Sequence, residues 1–146
     1  PKVSHFDFYK YATIVTPNND EASKASGIEI ENEAGLLRAG EVLLNKLGSD
    51  AVLITRGEHG MSLFENNGEI THIPTVAKEV YDVSGAGDTV IGTVALSMAS
   101  GASLKEAAVI SNFAAGIVVG KIGTATVTPK ELKDAVDNGL AEKRRR

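Results

Sequence analysis

The segment Asp82-Val83-Ser84-Gly85-Ala86-Gly87-Asp88 limits the possible folds of this chain more than any other stretch. It stands between a short apolar run, residues 80–81, and a long apolar segment, residues 89–100, an order that predicts a strand, a tight turn and a helix. Gly85 and Gly87 allow the backbone to bend sharply and to approach a ligand closely. Because the turn opens a helix, its unpaired N–H groups and the helix dipole predict a binding site for an anion.

Asp88 falls in the first turn of that helix, where the dipole favours an ionised carboxylate. A carboxylate beside an anion-binding turn supplies two groups that phosphoryl transfer requires: a base for the attacking hydroxyl, and donors for charge on the moving phosphate. The same Gly85-Ala86-Gly87-Asp88 sequence also fits an ordinary tight turn with a helix cap. The motif alone leaves both interpretations open.

The composition narrows the class of protein. With 146 residues, 42% of them apolar, the chain is long enough for one globular domain with a buried core. A net charge of −4 at pH 7 favours neither nucleic acid nor a membrane surface as a partner. There is no cysteine and no apolar run of membrane-spanning length, so we expect a cytoplasmic protein without disulfides. The chain begins at Pro1 rather than Met, which leaves open that it is a piece of a longer protein.

The first part of the chain alternates strand and helix patterns. Residues 12–15 predict a buried strand that Pro17 ends, and Asn18 is a candidate cap for the next helix. Apolar residues at helical spacing predict a helix over residues 29–46, with Gly48 as its stop. The predicted apolar anchors of this helix are Leu36, Leu37, Val42, Leu43 and Leu47.

Two further strand signals follow. The continuous apolar run Ala51–Thr55 predicts a strand covered on both faces, as in a parallel sheet. Asn66-Asn67-Gly68 lies between residues 61–65 and 69–73, which predicts a β-hairpin. His59 and His72 have no partner at a metal-ligand spacing, so they predict no metal site.

Three helical patterns complete the chain. Residues 89–100 are apolar nearly all round and predict a buried helix, while Ser103 and Thr128 begin capping boxes for helices ending near residues 119 and 140. Strands alternating with helices predict an α/β layered fold with a mostly parallel sheet. In such folds ligands bind beyond the carboxyl ends of the strands. The candidate loops at such ends follow Val15, Thr55 and Val83.

Three motifs occur in an order that resembles a known family: Thr16-Pro17-Asn18-Asn19-Asp20-Glu21, Thr55-Arg56-Gly57-Glu58-His59-Gly60, and the segment from Asp82 to Asp88. The chain resembles the C-terminal half of the ribokinase-like (PfkB) carbohydrate kinases, whose signature is an Asp-Thr-x-Gly-Ala-Gly-Asp-like sequence. Nearly the whole chain takes part in the resemblance. It implies that residues 1–146 form the nucleotide-binding and catalytic-loop part of a ribokinase-like kinase domain.

The resemblance implies roles in the transfer step and in holding metal. Asp88 would be the catalytic base, and the N–H groups of Gly85, Ala86 and Gly87 would face the transferring phosphate. Asn18 and Glu21 would help to hold Mg²⁺ and phosphate through water, although an Asn followed three residues later by a Glu is also a capping box.

The resemblance also places ATP and a monovalent cation. The nucleotide phosphates would lie at the loop of Thr55, Gly57 and Gly60, where Arg56 is either an added positive charge or a solvated side chain. Asn112 would lie near the adenine, or else face solvent as most helical asparagines do. Asp82 and Ser84, together with residues 121–125, align with the family's monovalent-cation site, so K⁺ is a candidate ligand.

The substrate remains open between several sugars. Residues 81–92, 118–127 and 73–75 resemble those of the family's heptose 7-phosphate kinases, which phosphorylate the anomeric carbon in a step toward ADP-heptose and the lipopolysaccharide core. A ribokinase, a fructose-phosphate kinase and a non-catalytic nucleotide-binding fragment are the alternatives. The resemblance implies that the N-terminal half, with most sugar contacts, is missing, and it leaves open a homodimer and a following nucleotidyltransferase domain.

Overall fold

The computed structural model of the protein describes residues 1–145. It consists of two compact units, Pro1–Ile73 and Pro74–Arg146. None of the helices within residues 1–145 combines the length and the apolar character needed to cross a bilayer.

The first unit combines a sheet with two helices. A 3₁₀ helix, Val3–Tyr9, precedes them, and a short 3₁₀ turn, Gly57–His59, follows the second strand. The strands and helices are β1 (Ile14–Val15), α1 (Asn19–Ser26), α2 (Glu33–Leu47), β2 (Ala51–Thr55), β3 (Met61–Glu65) and β4 (Ile70–Ile73).

The four strands form one sheet in the order β1-β2-β3-β4. β1 runs parallel to β2, with Ile14 opposite Ala51, which confirms that the two apolar runs share a sheet. β2, β3 and β4 pair antiparallel, and the predicted hairpin joins β3 to β4 through a turn in which Gly68 has a φ of 89°. The sheet of the described residues is therefore mixed, and its parallel part is the β1–β2 pair.

The helix α2 differs from its prediction at its start and on one face. It begins at Glu33 because the side chain of Asn32 accepts a hydrogen bond from the Gly35 N–H at 3.0 Å, which fixes the cap there. Gly48 ends it in a left-handed conformation, as predicted. Val42 was a wrong anchor: it is 38% exposed, whereas three of the predicted leucines are buried. The buried leucines are Leu36, Leu43 and Leu47.

The core of the first unit is built from large apolar side chains. Residues 51–54 of β2 are buried, and β1 and β3 flank the strand. Val52 and Ile54 pack in one apolar cluster with side chains of α1 and α2. Gly40 of α2 leaves room for the ring of Phe64, since a Cβ at position 40 would lie 2.4 Å from the Phe64 ring. The helix thereby packs closely against β3.

The second unit, as far as residue 145, is helical: α3 (Ala86–Ala99), α4 (Leu104–Val119) and α5 (Pro129–Arg145). Ser103 forms the predicted capping box with Glu106, and Thr128 forms one with Glu131. Gly139 of α5 faces the ring of Phe113 of α4, and a Cβ at position 139 would lie 2.5 Å from that ring. The two helices therefore contact closely at this glycine.

Two predictions for this unit were wrong. Residues 80–81 form no strand. They are exposed, and the N–H of Tyr81 bonds to the carbonyl of Val119 at 2.8 Å instead of a strand neighbour. The helix α3 is not buried all round, because it packs on α4 through Val90 and Val94 while Leu96 is 70% exposed.

Candidate functional site

The turn that opens α3 adopts the conformation that its glycines allow. Gly85 caps the helix with φ 78° and ψ 0°, a left-handed conformation that favours glycine. Its carbonyl accepts the N–H of Thr89 at 2.9 Å, which closes the first helical turn. No side chain caps this helix, in contrast to α1, α2 and α4. No capping side chain therefore occupies the backbone donors of the first turn.

Asp88 lies in that first turn and is exposed. The N–H of Ala86 is engaged, because it donates to the carbonyl of Val83 at 3.2 Å. Within the described residues, the N–H groups of Gly85 and Gly87 donate no such bond. The arrangement combines an accessible carboxylate with unpaired donors at the positive end of a helix dipole.

A second carboxylate fixes the loop before this turn. The Oδ1 atom of Asp82 accepts the N–H of Ser84 at 2.8 Å. Hydrogen bonds from the backbone and side chain of Ser84, and from the backbone of Gly123, lower the pKa of Asp82 below its usual range. Asp82 therefore stays ionised and connects this loop to residues 121–125, the two segments that the sequence analysis assigned to a cation site.

An ion pair holds the other side of that loop. The Nζ atom of Lys121 donates to the carbonyl of Thr126 at 2.8 Å and lies 2.7 Å from Oε1 of Glu131. Lys121 and the cap bonds from Thr128 lower the pKa of Glu131 to about 2. The sequence predicts only the capping box that Thr128 begins, in which Glu131 is the acidic residue. The partner ten residues upstream could not be inferred, because it depends on how the loop folds back.

In the first unit, Asn18 and Glu21 form the capping box that was one of their two predicted roles. The N–H of Asn18 donates to Oε2 of Glu21, and the N–H of Glu21 donates to Oδ1 of Asn18, each at 2.8 Å. The amino group of Pro1 lies 3.7 Å from Oε1 of Glu21. Within residues 1–145 no three acidic or histidine side chains cluster in a metal-binding geometry. This single carboxylate suits a Mg²⁺ ion that keeps most of its waters.

Thr55 lies next to Asn18, because the two residues form a parallel β-bridge and the N–H of Thr55 donates to Pro17 at 3.0 Å. The loop after Thr55 is held by a bond from the Arg56 N–H to the Gly60 carbonyl at 2.8 Å. Gly57 and Gly60 both have positive φ, 57° and 78°. The structure thus brings two of the predicted motifs together at the carboxyl ends of β1 and β2, the edge at which α/β sheets bind ligands.

Asn112 does not face solvent. Its side chain is 4% exposed, and its Nδ2 atom donates to the carbonyl of Pro74 at 2.8 Å. It therefore ties α4 to the segment that precedes the glycine turn in sequence. This contact could not be inferred from the sequence, because the partner is a backbone carbonyl 38 residues away.

Solved structures with similar folds define the class of this protein. Arabidopsis thaliana ribokinase, complexed with ribose and ATP, matches with a TM-score of 0.79 and 26% identity over 92% of this chain and 43% of that one. Escherichia coli phosphofructokinase-2, in complex with substrates and products, matches with a TM-score of 0.82 and 18% identity over 92% of this chain and 44% of that one. The fold is the α/β ribokinase-like fold, present in part.

A family model described as pfkB family carbohydrate kinase matches residues 4–131, and the chain belongs to that family. It is 55% identical over 132 residues to the bifunctional protein HldE of Geotalea uraniireducens, and 52% identical over 136 residues to that of Trichlorobacter lovleyi. These matches cover 90% and 93% of this chain but only 27% and 28% of the two relatives. The chain therefore spans little more than a quarter of their length.

Proposed function

We propose that this chain is the nucleotide-binding and catalytic-loop part of an ATP-dependent sugar kinase. One observation carries the proposal: the exposed carboxylate of Asp88 stands in the first turn of α3, beside the unpaired N–H groups of Gly85 and Gly87. A base and an anion-binding turn on one short segment are what phosphoryl transfer to a hydroxyl requires. Membership of the pfkB family supports the same assignment.

In the proposed step, Asp88 accepts the proton of the sugar hydroxyl while that oxygen forms a bond to the γ-phosphorus of ATP. The bond between that phosphorus and the β–γ bridging oxygen breaks, and ADP leaves with the electron pair. The N–H groups of Gly85 and Gly87 stabilise charge on the moving phosphate. Ala86 contributes its small size there, and its N–H would join only if it released Val83.

The first unit supplies the proposed nucleotide contacts. Thr55, Gly57 and Gly60 lie on the loop that would receive the phosphates, while Asn18 and Glu21 hold Mg²⁺ through water. Mg²⁺ would neutralise charge on the phosphates when bound. In the second unit, Asn112 can offer its amide oxygen to adenine, because its Nδ2 is already bound to Pro74.

The proposed K⁺ site consists of Asp82, Ser84 and the loop of residues 121–125. An ionised Asp82 carboxylate and the backbone carbonyls of this loop suit a hard cation. Lys121 places a fixed positive charge on the same loop, bound to Thr126 and Glu131. The affinity for K⁺ therefore tests whether that ammonium group leaves room for a second cation.

We propose heptose 7-phosphate as the sugar, phosphorylated to the 1,7-bisphosphate in cytoplasmic ADP-heptose synthesis. Identity of 52–55% to HldE proteins supports this choice over ribose or fructose 6-phosphate. Residues that select the sugar would lie largely in the missing N-terminal half. A non-catalytic nucleotide-binding fragment is the second candidate, since the chain covers 43–44% of the two solved kinases compared above.

One face of α3 is exposed, which supports the proposal that a further segment of polypeptide covers it. Four of its residues, which recur at helical spacing behind Asp88, are exposed. They are Ile91, Gly92, Ala95 and Leu96. We propose that the remainder of the kinase polypeptide covers this face in the complete protein.

Two measurements test the function. Titration calorimetry of the chain with ATP–Mg²⁺ should show weak, saturable binding, and a coupled ADP assay should show little turnover until the upstream half is supplied. With that half present, heptose 7-phosphate should be preferred over ribose and fructose 6-phosphate. Absence of ATP binding would contradict the nucleotide assignment, and full turnover by the chain alone would contradict the need for the upstream half.

A further inference from the structure

A line of polar contacts crosses the sheet of the first unit and ends at the loop that follows β2. Nη1 of Arg56 donates to Oγ of Ser62 at 3.3 Å, and that oxygen lies 2.9 Å from Nδ1 of His72. Nε2 of His72 in turn lies 3.9 Å from Oε1 of Glu33, in the first turn of α2. The roles given above include Arg56 only as a candidate charge near the phosphates, and they include neither Ser62 nor His72.

The register of the strands produces the line. Ser62 of β3 stands opposite Ile54 of β2 and His72 of β4, so its side chain lies beside that of His72. Ser62 is 0% exposed, and a buried hydroxyl needs hydrogen-bond partners. Arg56 and His72 supply them.

The guanidinium fixes the direction of one of these bonds. It can only donate, so Ser62 accepts from Arg56. A hydroxyl has one proton and a second lone pair, so the bond between Ser62 and Nδ1 of His72 forms with either imidazole tautomer. Nε2 of His72 faces the carboxylate of Glu33.

A serine, a histidine and a carboxylate in series also occur in hydrolases, but this serine cannot act as a nucleophile. Its side chain is fully buried, so no substrate reaches Oγ. Both ends of the line reach solvent, because Arg56 is partly buried and His72 and Glu33 are exposed. Arg56 is the end that lies on the loop after β2 and carries a positive charge, so it is the end that can meet an anion.

Arg56 is fixed at both its backbone and its side chain. Its N–H bonds to the Gly60 carbonyl at 2.8 Å, and its carbonyl accepts the N–H of His59 at 3.1 Å. The bond to Ser62 uses one of five guanidinium donors, which leaves the others for an anion. A held guanidinium loses less entropy on binding phosphate than a free one does.

We propose that Arg56 binds the β- or γ-phosphate of the nucleotide, and that Ser62 and His72 are positioning residues that aim it. The inference rests on the proposed function, in which the Thr55–Gly60 loop receives the phosphates. Within the described residues, the N–H groups of Gly57 and Glu58 donate to no other group of the chain. They are therefore available to donate to the same phosphate.

Titration calorimetry with ATP–Mg²⁺ and with AMP, which lacks the β- and γ-phosphates, tests the role of Arg56. Arg56→Gln should weaken ATP binding roughly tenfold to a hundredfold, the range for a hydrogen bond to a charged group, and leave AMP binding unchanged. Arg38→Gln is the matched control, because Arg38 is an exposed arginine of α2. Unchanged ATP binding by Arg56→Gln, or an equal loss for ATP and AMP, overturns the proposal.

A double-mutant cycle tests the positioning. Ser62→Ala and His72→Gln should each weaken ATP binding several-fold in the native protein and have no further effect in the Arg56→Gln background. His72 is 43% exposed at its side chain, so His72→Gln provides the test if Ser62→Ala fails to fold. Ser49→Ala is the control, because Ser49 is a buried serine of the same unit whose Oγ has no partner.

Losses of equal size with and without Arg56 would show that Ser62 and His72 act on the fold and not on the arginine. If the native protein binds neither nucleotide, the proposed function and this inference fail together. If it binds ATP, and Arg56→Gln binds ATP equally well, only this inference fails.

Discussion

The two units of the chain bury different kinds of side chain. The first unit encloses leucine, isoleucine and phenylalanine between a sheet and two helices. Among the described residues of the second unit, the buried apolar side chains are Phe113 and a set of alanines and valines on α3 and α4. The first unit is therefore organised around a core of its own, whereas the second presents small contact surfaces between helices.

Both units expose some large apolar side chains, and the units differ in where these lie. In the first unit they are scattered over several elements. In the second, five of the seven among the described residues lie on the segment that leads into the glycine turn and on α3, the helix of Asp88. Monomeric proteins rarely leave such groups together on one surface unless something covers them. The comparison indicates that the unit with the candidate catalytic residue is the less complete of the two, which agrees with the proposal that further polypeptide covers α3.

The largest expected loss of stability tests the core of the first unit. Phe64 is 3% exposed and fills the space above Gly40, so Phe64→Ala should lower the free energy of unfolding by about 3–5 kcal/mol. Phe8→Ala is the matched control, because Phe8 is 84% exposed and should change stability by less than about 0.5 kcal/mol. Urea unfolding followed by circular dichroism measures both, and similar losses for the two variants would contradict the assigned core.

A second pair of variants tests the two faces of α3. Val94 is 0% exposed, so Val94→Ala should cost about 1.5–3 kcal/mol, while Leu96→Ala should cost less than about 0.5 kcal/mol because Leu96 is 70% exposed. In the full-length kinase, the cost of Leu96→Ala should rise to about 2–5 kcal/mol, since the proposed partner segment would bury it. If Leu96→Ala lowers the free energy of unfolding equally in the chain and in the full-length protein, the proposal that this face is covered is wrong.

The smallest effect concerns the ion pair beside the candidate cation loop. The pKa of Glu131 is lowered from 4.5 to about 2 in the folded protein, so its contribution to stability is present above pH 4.5 and is lost as the pH falls toward 2. Thermal unfolding of the native protein and of Glu131→Gln should therefore differ most above about pH 5 and converge near pH 2. A difference that persists unchanged at pH 2 would mean that the Lys121–Glu131 pair is not its source.

Local features were predictable from the sequence, because they depend on residues close together in the chain. The capping boxes at Asn18, Ser103 and Thr128 all form, and so does the hairpin around Gly68. The ribokinase-like fold was also predictable, because three motifs stand in the family's order.

The features that the sequence predicted wrongly or did not predict depend on contacts between residues far apart in the chain. Residues 80–81 have a strand-like composition but bond to α4, and α3 is apolar on a face that no described residue of its unit covers. The bond between Ser62 and His72 follows from strand register, which an isolated pattern does not give. Composition describes what a side chain prefers, whereas burial depends on what is available to cover it.

The central claim is that Asp88 is the base of a phosphoryl transfer, and its replacement by Asn in the full-length kinase tests that claim most directly. Asn keeps the size of the side chain but removes the base, so kcat should fall by about 10²–10⁴ or more. ATP affinity should hardly change, because the donors of Gly85 and Gly87 remain. Stability should change by less than about 1 kcal/mol, since only an exposed charge at a helix start is lost. A variant with near-normal kcat, measured together with nucleotide affinity on one preparation, would show that Asp88 only complements the helix dipole.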